Sequence, residues 1–156
     1  HLCSIPGVGG IAATAIVAEI GFAMARFPSA NHLVSWACLC PRSDESAGKH
    51  RSTRTRRGAG WLKPMLVQVA WSAVRKKNSY ERALFYRLKA ARGPQKAIVA
   101  VAASLLRVIY ALIRDGVPYR SLGPDHFDTL DHERKKRRHL KQLEKLGYNV
   151  TLQEAA

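Results

Sequence analysis

A hydroxyl set among fixed positive charges is the first chemistry this chain offers. From Pro41 to Leu62 the sequence runs Pro-Arg-Ser-Asp-Glu-Ser-Ala-Gly-Lys, then a scatter of Arg, Ser and Thr, then Gly58-Ala59-Gly60-Trp61-Leu62. Arg42, Lys49, Arg51, Arg54, Arg56, Arg57 and Lys63 face two acids, Asp44 and Glu45. Ser46 sits in the middle, followed by small residues and a lysine. A small hydroxyl in a cationic loop is what a nucleophile aimed at a phosphodiester needs, because the attacked phosphorus gathers negative charge. No helical or strand period runs through the stretch, so it reads as a loop. Serine is also a common loop residue, so the residues alone favour a simpler account: a solvated basic loop that touches nucleic acid without chemistry.

A second candidate lies at the start. Leu2 to Ile5 leads into Pro6-Gly7-Val8-Gly9, and Ile11, Ala12, Ala15, Ile16 and Ile20 follow at helical spacing. This is the pattern of a helix-hairpin-helix element. Gly7 and Gly9 allow close backbone approach, and open amides at the next helix N-terminus can hold a phosphate. Such contacts set position and read no base sequence. The competing account is a tight turn packed into the core.

These candidates need elements to position them. With 156 residues and 47% apolar content, the chain is one domain with an appendage at most, and can bury a core. Its net charge of +15 points to a polyanion, nucleic acid ahead of a membrane, since the charge falls in loops and near the C-terminus. Residues 97–113 are the most apolar, but Ser104 and Arg107 interrupt them, so a buried helix is expected before a membrane span. Cys3, Cys38 and Cys40 form no Cys-x-x-Cys zinc knuckle and read as buried thiols of a reduced, cytoplasmic protein. No metal site is expected. Asp125, Asp128 and Asp131 read as solvated turn carboxylates, and His32 as a surface or capping histidine.

The fold expected is mostly α. Gly21 ends the first helix and Ser29 caps a second, which carries Leu33, Trp36, Ala37 and Leu39. A third starts close to Trp61, with Pro64 in its first turn. Trp61 and Trp71 read as core or interface anchors, with base stacking by Trp61 as the alternative. Ser79 caps a fourth helix, Gly93-Pro94 breaks it, and a long core helix runs from about Gln95 to Arg114. Tyr119 to Asp131 reads as an ordered loop pinned by Tyr119 and Phe127. A basic helix follows, with Leu140, Leu143 and Leu146 as a narrow seam and Gly147 as its cap. From Tyr148 to Leu152 a short edge strand or an extended tail is expected. The domain division is 1–118 for the helical domain, with the helix-hairpin-helix at 2–21, and 119–156 for a loop and basic helical extension.

Taken together, several motifs resemble one known family. They are Ser4-Ile5-Pro6-Gly7-Val8-Gly9, Phe27-Pro28-Ser29-Ala30, Trp36-Ala37, Pro41-Arg42, Glu45-Ser46-Ala47-Gly48-Lys49 and Arg56-Arg57-Gly58. Lys96 to Ala102 and Arg114-Asp115-Gly116-Val117-Pro118-Tyr119 complete the set. The family is the insertion-sequence transposases of the IS110 type, with the related pilin-gene invertases, and the resemblance covers nearly the whole chain in order. It implies a site-specific recombinase with an N-terminal RuvC-like domain holding a metal-binding acidic tetrad, and a helical C-terminal domain holding a catalytic serine. It further implies guidance by a structured noncoding RNA. The family serine falls here on Ser46, with Ser43 next in line. The DNA contacts implied are Gly7, Gly9, Arg42, Lys49, Arg51, Arg54, Arg56 and Arg57.

Two departures accompany the resemblance. The RuvC-like part is absent, so Mg2+ is expected in that other domain and no cofactor in this chain, and the chain reads as the C-terminal part, or a remnant, of a larger protein. The family's Gly-Asn after the basic run is here Gly58-Ala59. DNA, a structured guide RNA and, at full length, further copies of the protein are the partners implied, with little recombination from this chain alone. The alternatives are a non-enzymatic helix-hairpin-helix binding module and a basic RNA-binding structural protein.

Overall fold

The computed structural model describes residues 1–42, 44–52, 54–56, 58 and 60–149, leaving the side chains at 44–46, 50, 51 and 133 undescribed. It is mostly helical. A 3-10 turn at Leu2–Ser4 precedes α1 (Gly10–Ile20), and a second at Met24–Arg26 precedes α2 (Ala30–Trp36). Then come β1 (Asp44–Ser46) and β2 (Lys49–Ser52), α3 (Leu62–Arg75), α4 (Tyr80–Arg92), α5 (Pro94–Asp115) and α6 (His126–Lys145).

The centre is α5, as its composition predicts. Ala97, Ile98, Val101, Ala102, Leu105, Leu106 and Ile109 are all buried, a stripe too wide for a surface helix. Helices α2, α3 and α4 pack on it, and α1 packs on α3. Pro94 occupies the first helical position, where its missing N–H costs no hydrogen bond. By length and composition α5 could cross a membrane, but more than half of its apolar stretch is buried inside the protein, which is what a core helix looks like. Its one buried phenol, Tyr110, donates to the Phe27 carbonyl at 3.0 Å, so the polar tip is satisfied.

Helix boundaries follow their local signals. Gly21, φ +72°, closes α1. Ser79 accepts the Arg82 amide at 3.2 Å and caps α4. Gly116, left-handed at φ +66°, closes α5. Ser29 holds the cap position of α2, but its hydroxyl is 2.8 Å from Nδ1 of exposed His32 rather than on a backbone amide. Gly147 donates to the Glu144 carbonyl and Tyr148 to the Leu143 carbonyl, which closes the end of α6.

Some expectations are corrected. Residues 126–131, read as loop, form the first turns of α6, because Asp125 stands at its N-cap and Phe127 is held against Tyr80 at 5.0 Å between ring centroids. Cys3 is exposed, and Cys38 and Cys40 are only half-buried. Trp61 is 86% exposed, which removes it from the core, and Ile11 also points outward. The tail from 150 onward lies outside the described residues.

Candidate nucleic-acid interface

The basic stretch is not a featureless loop. Strands β1 and β2 pair antiparallel, with Asp44 opposite Ser52, Glu45 opposite His50 and Ser46 opposite Lys49. The register shifts between Asp44 and Glu45, so Arg51 is the extra residue of a bulge. The turn is Ala47-Gly48, with φ of +51° and +74°. Two positive φ values in a two-residue turn are what the right-handed twist of a tight hairpin demands. Sequence reading missed it for two reasons. Ala-Gly lacks the Asn-Gly or Asp-Gly signature, and the strands carry charge rather than alternating apolar residues.

The hairpin stands on a defined foot. Pro41 bridges Thr55, and the Arg42 amide donates to the Arg54 carbonyl at 3.0 Å. Lys63, in the first turn of α3, donates from Nζ to Thr55 Oγ1 at 2.7 Å and to the Arg56 carbonyl at 3.3 Å. Gly58 closes on the end of α2: a Cβ there would come within 2.9 Å of the Cys38 sulfur. Lys63 is therefore a structural cation spent on the loop, while Arg42, Lys49, Arg54 and Arg56 are exposed. The described ion pairs are Arg87–Asp131 and Arg114–Asp115, so no described acid neutralises those four. Ser46 is thus the last strand residue before the turn, on the rung it shares with Lys49. Ser43 and Arg57 lie outside the described residues, as do the side chains of Ser46 and Arg51.

The two glycines of the N-terminal motif differ in role. Gly7, φ +83°, sits against α3, where a Cβ would meet the Val69 carbonyl oxygen at 2.6 Å and the Ala73 nitrogen at 2.7 Å. Gly7 is the packed turn. Gly9 has open space around it and precedes α1, whose first-turn amides are unpaired by helix geometry. Both the Gly7 contact and the hairpin foot use α3, six to ten residues apart on one helix, or roughly 9–15 Å of axial rise.

One group near the surface was missed altogether. Glu81 is 2% exposed, its Oε1 accepts the Tyr119 hydroxyl at 2.6 Å, and its Oε2 has no partner among the described residues. Burial first, and the hydrogen bond to Glu81 second, push the Tyr119 phenol up to about 12. Nothing in the sequence marks Glu81, which sits in the first turn of a helix where an exposed glutamate is ordinary. At the end of α5, hydrogen bonds from Arg114 hold the exposed Asp115 carboxyl below its ordinary range. Among the described residues no three His, Cys, Asp or Glu side chains gather, so they offer no seat for a Mg2+ ion.

By fold the chain is a mostly helical domain with a short hairpin, and Arg42, Arg54 and Arg56 stand exposed at the hairpin's foot. More narrowly, the chain belongs to the transposase IS116/IS110/IS902 family, whose model matches residues 1–87. It is 30% identical over 126 residues to the "Insertion element IS110 uncharacterized 43.6 kDa protein" of Streptomyces coelicolor, covering 79% of this chain and 30% of that one. It is 30% identical over 125 residues to a transposase-named protein of Sinorhizobium fredii, covering 77% of this chain and 32% of that one. A "Probable family 20 transposase" of Pseudomonas aeruginosa is 29% identical over 126 residues, 77% of this chain and 36% of that one. The chain thus spans about a third of the length of these relatives. No solved structure matches it.

Proposed function

We propose that this chain is the DNA-binding and strand-exchange part of a transposase, with Ser46 as the nucleophile. The observation that supports this best is the hairpin. It sets Ser46 on the rung of Lys49, beside a turn and among exposed arginines, in the stretch the family model covers. In the reaction envisaged, the Ser46 oxygen bonds to a backbone phosphorus as the phosphorus–oxygen bond to the neighbouring deoxyribose breaks. The serine proton is taken up and the departing oxygen is protonated, leaving a phosphoserine ester that conserves the bond for rejoining. Arg42, Lys49, Arg54 and Arg56, with Arg51 and Arg57 in the same stretch, would steady the charge on the phosphoryl oxygens. The base that activates the hydroxyl would come from a RuvC-like metal domain elsewhere in a longer protein. Gly9 and the start of α1 would hold duplex phosphate, with Gly7 setting the turn. A structured guide RNA, self-assembly of the longer protein and a cytoplasmic setting belong to the same reading. So does the division into a helical domain at 1–118 and an extension at 119–156.

The test is covalent capture. A nicked suicide substrate given to the longer parent protein should yield a protein–DNA adduct that maps to Ser46 and is absent from Ser46→Ala. An alanine variant that still captures DNA removes Ser46 from the role. A second reading, a binding module without chemistry, has one observation in its favour: no carboxylate cluster stands among the described residues to activate the hydroxyl. It requires steeply salt-dependent binding and no adduct from any serine variant or the parent.

A further inference from the structure

Helix α4 carries a second cationic site, on the side away from α6. Arg82, Tyr86 and Lys89 fall at i, i+4 and i+7, one stripe of the helix. Tyr86 is 50% exposed, and its ring is braced by the edge of Phe85 at 5.5 Å and 78°. The Arg82 guanidinium lies 5.2 Å and the Lys89 ammonium 5.6 Å from the ring centroid. The ring also walls an open cleft of about 350 Å3, which Lys77, Asn78, Arg82 and Pro124 help to line and no described acid does. Neither Arg82, Lys89 nor Lys77 takes part in a described ion pair. The α6 segment docks on a different stripe, through Phe127 on Tyr80 and Asp131 on Arg87 at 2.9 Å. The face with Tyr86 is left open by that docking.

We propose that Tyr86, with Arg82 and Lys89 over its ring and Lys77 in the adjoining cleft, is a stacking seat for an unpaired nucleotide of a single-stranded nucleic acid. A half-exposed aromatic ring among cations that no described acid pairs offers a face to a base and charge to the flanking phosphates. Duplex bases have both faces occupied by their neighbours, so the seat selects an unpaired one. A bound base stacks on Tyr86 while Arg82 exchanges the ring for a phosphate oxygen. This rests on the reading of the chain as a nucleic-acid-binding protein, and it places a second contact away from the hairpin.

The probes are a short unstructured RNA, a DNA of the same sequence and the duplex of that DNA, each labelled and titrated by fluorescence anisotropy. Tyr86→Leu is expected to weaken single-strand binding roughly tenfold and leave duplex binding unchanged, whereas Tyr86→Trp retains both. Arg82→Gln should lower the single-strand salt slope by about 0.7. Either order of affinity between the RNA and the DNA supports the seat and assigns its strand. The unmodified chain, irradiated with an iodouracil-substituted strand, should crosslink at Tyr86, which decides the matter even if Tyr86→Leu does not fold. The proposal is overturned if Tyr86→Leu binds single strands as the parent does, if it loses the same factor on duplex, or if the crosslink maps elsewhere. Single-strand binding that fails while duplex binding survives sinks this seat alone. Failure to bind either form sinks the nucleic-acid reading with it.

Discussion

At the scale of single residues, the glycine pair of the N-terminal motif divides into a packed position and an open one. Both were candidates for phosphate contact, and the sequence treats them alike. The neighbours do not, because Gly7 faces the α3 backbone and Gly9 faces open space. In Gly7→Ala the new methyl would press on backbone atoms that cannot rotate away, at a φ that L-residues avoid. A loss of about 3 kcal/mol or more is expected. Gly9→Ala meets nothing and should cost less than about 1 kcal/mol, the ordinary difference at a helix N-cap. Urea unfolding of the two variants checks this. Equal midpoints would place Gly7 outside the core. Only Gly9→Ala is then informative about DNA affinity, since Gly7→Ala would disturb the fold first.

At the scale of elements, the helices were legible and the hairpin was not. Helices α3 and α5 announce themselves by apolar spacing, with Pro64 and Pro94 marking their starts and Gly116 the end of α5. The hairpin is held by paired backbone and a foot of hydrogen bonds, neither of which needs a patterned side chain. Its weakest point is Ala47, a non-glycine residue held at φ +51°. Asparagine tolerates that conformation better and makes the favoured Asn-Gly turn. Ala47→Asn is therefore expected to slow amide exchange across Ser46–Lys49 by about fivefold, equivalent to roughly 1 kcal/mol, without shifting the global unfolding midpoint by more than about 0.5 kcal/mol. Faster exchange in that variant would contradict the turn described.

At the scale of the whole molecule, the link from α5 to α6 is tied at Tyr119. Its amide donates to Ser4 Oγ at 3.0 Å and its hydroxyl to buried Glu81, so one residue joins the N-terminal turn, α4 and the C-terminal segment. Tyr119→Phe would leave both Glu81 oxygens without a described partner, and a loss of about 1–3 kcal/mol is expected. The pH dependence has a definite sign. The phenol is raised to about 12 in the fold, against about 10 in an unfolded chain. The folded state therefore keeps a proton that the unfolded state has lost. This stabilisation is complete below about pH 10 and disappears as the pH rises through the folded value. Denaturation midpoints measured across that window should fall in the parent and fall less in Tyr119→Phe. Parallel curves would show that the tie contributes nothing.

The order of residues by itself determined the helical class, the ends of α1, α4 and α5, the central place of α5 and the cationic character of 41–63. Each of these follows from near neighbours: apolar spacing along a helix, a proline that cannot donate, a glycine that can adopt positive φ, or charge summed over a segment. The tertiary structure alone decided that Ser46 stands opposite Lys49, that Lys63 is bound into the hairpin foot, that Gly7 is packed, and that Trp61 is exposed. It also decided that Glu81 is buried under Tyr119 and that Tyr86 stays half-exposed on the stripe of α4 that α6 leaves uncovered. Those facts depend on which surfaces meet across the fold, and meeting is a property of packed pairs far apart in the chain, not of any residue's own type.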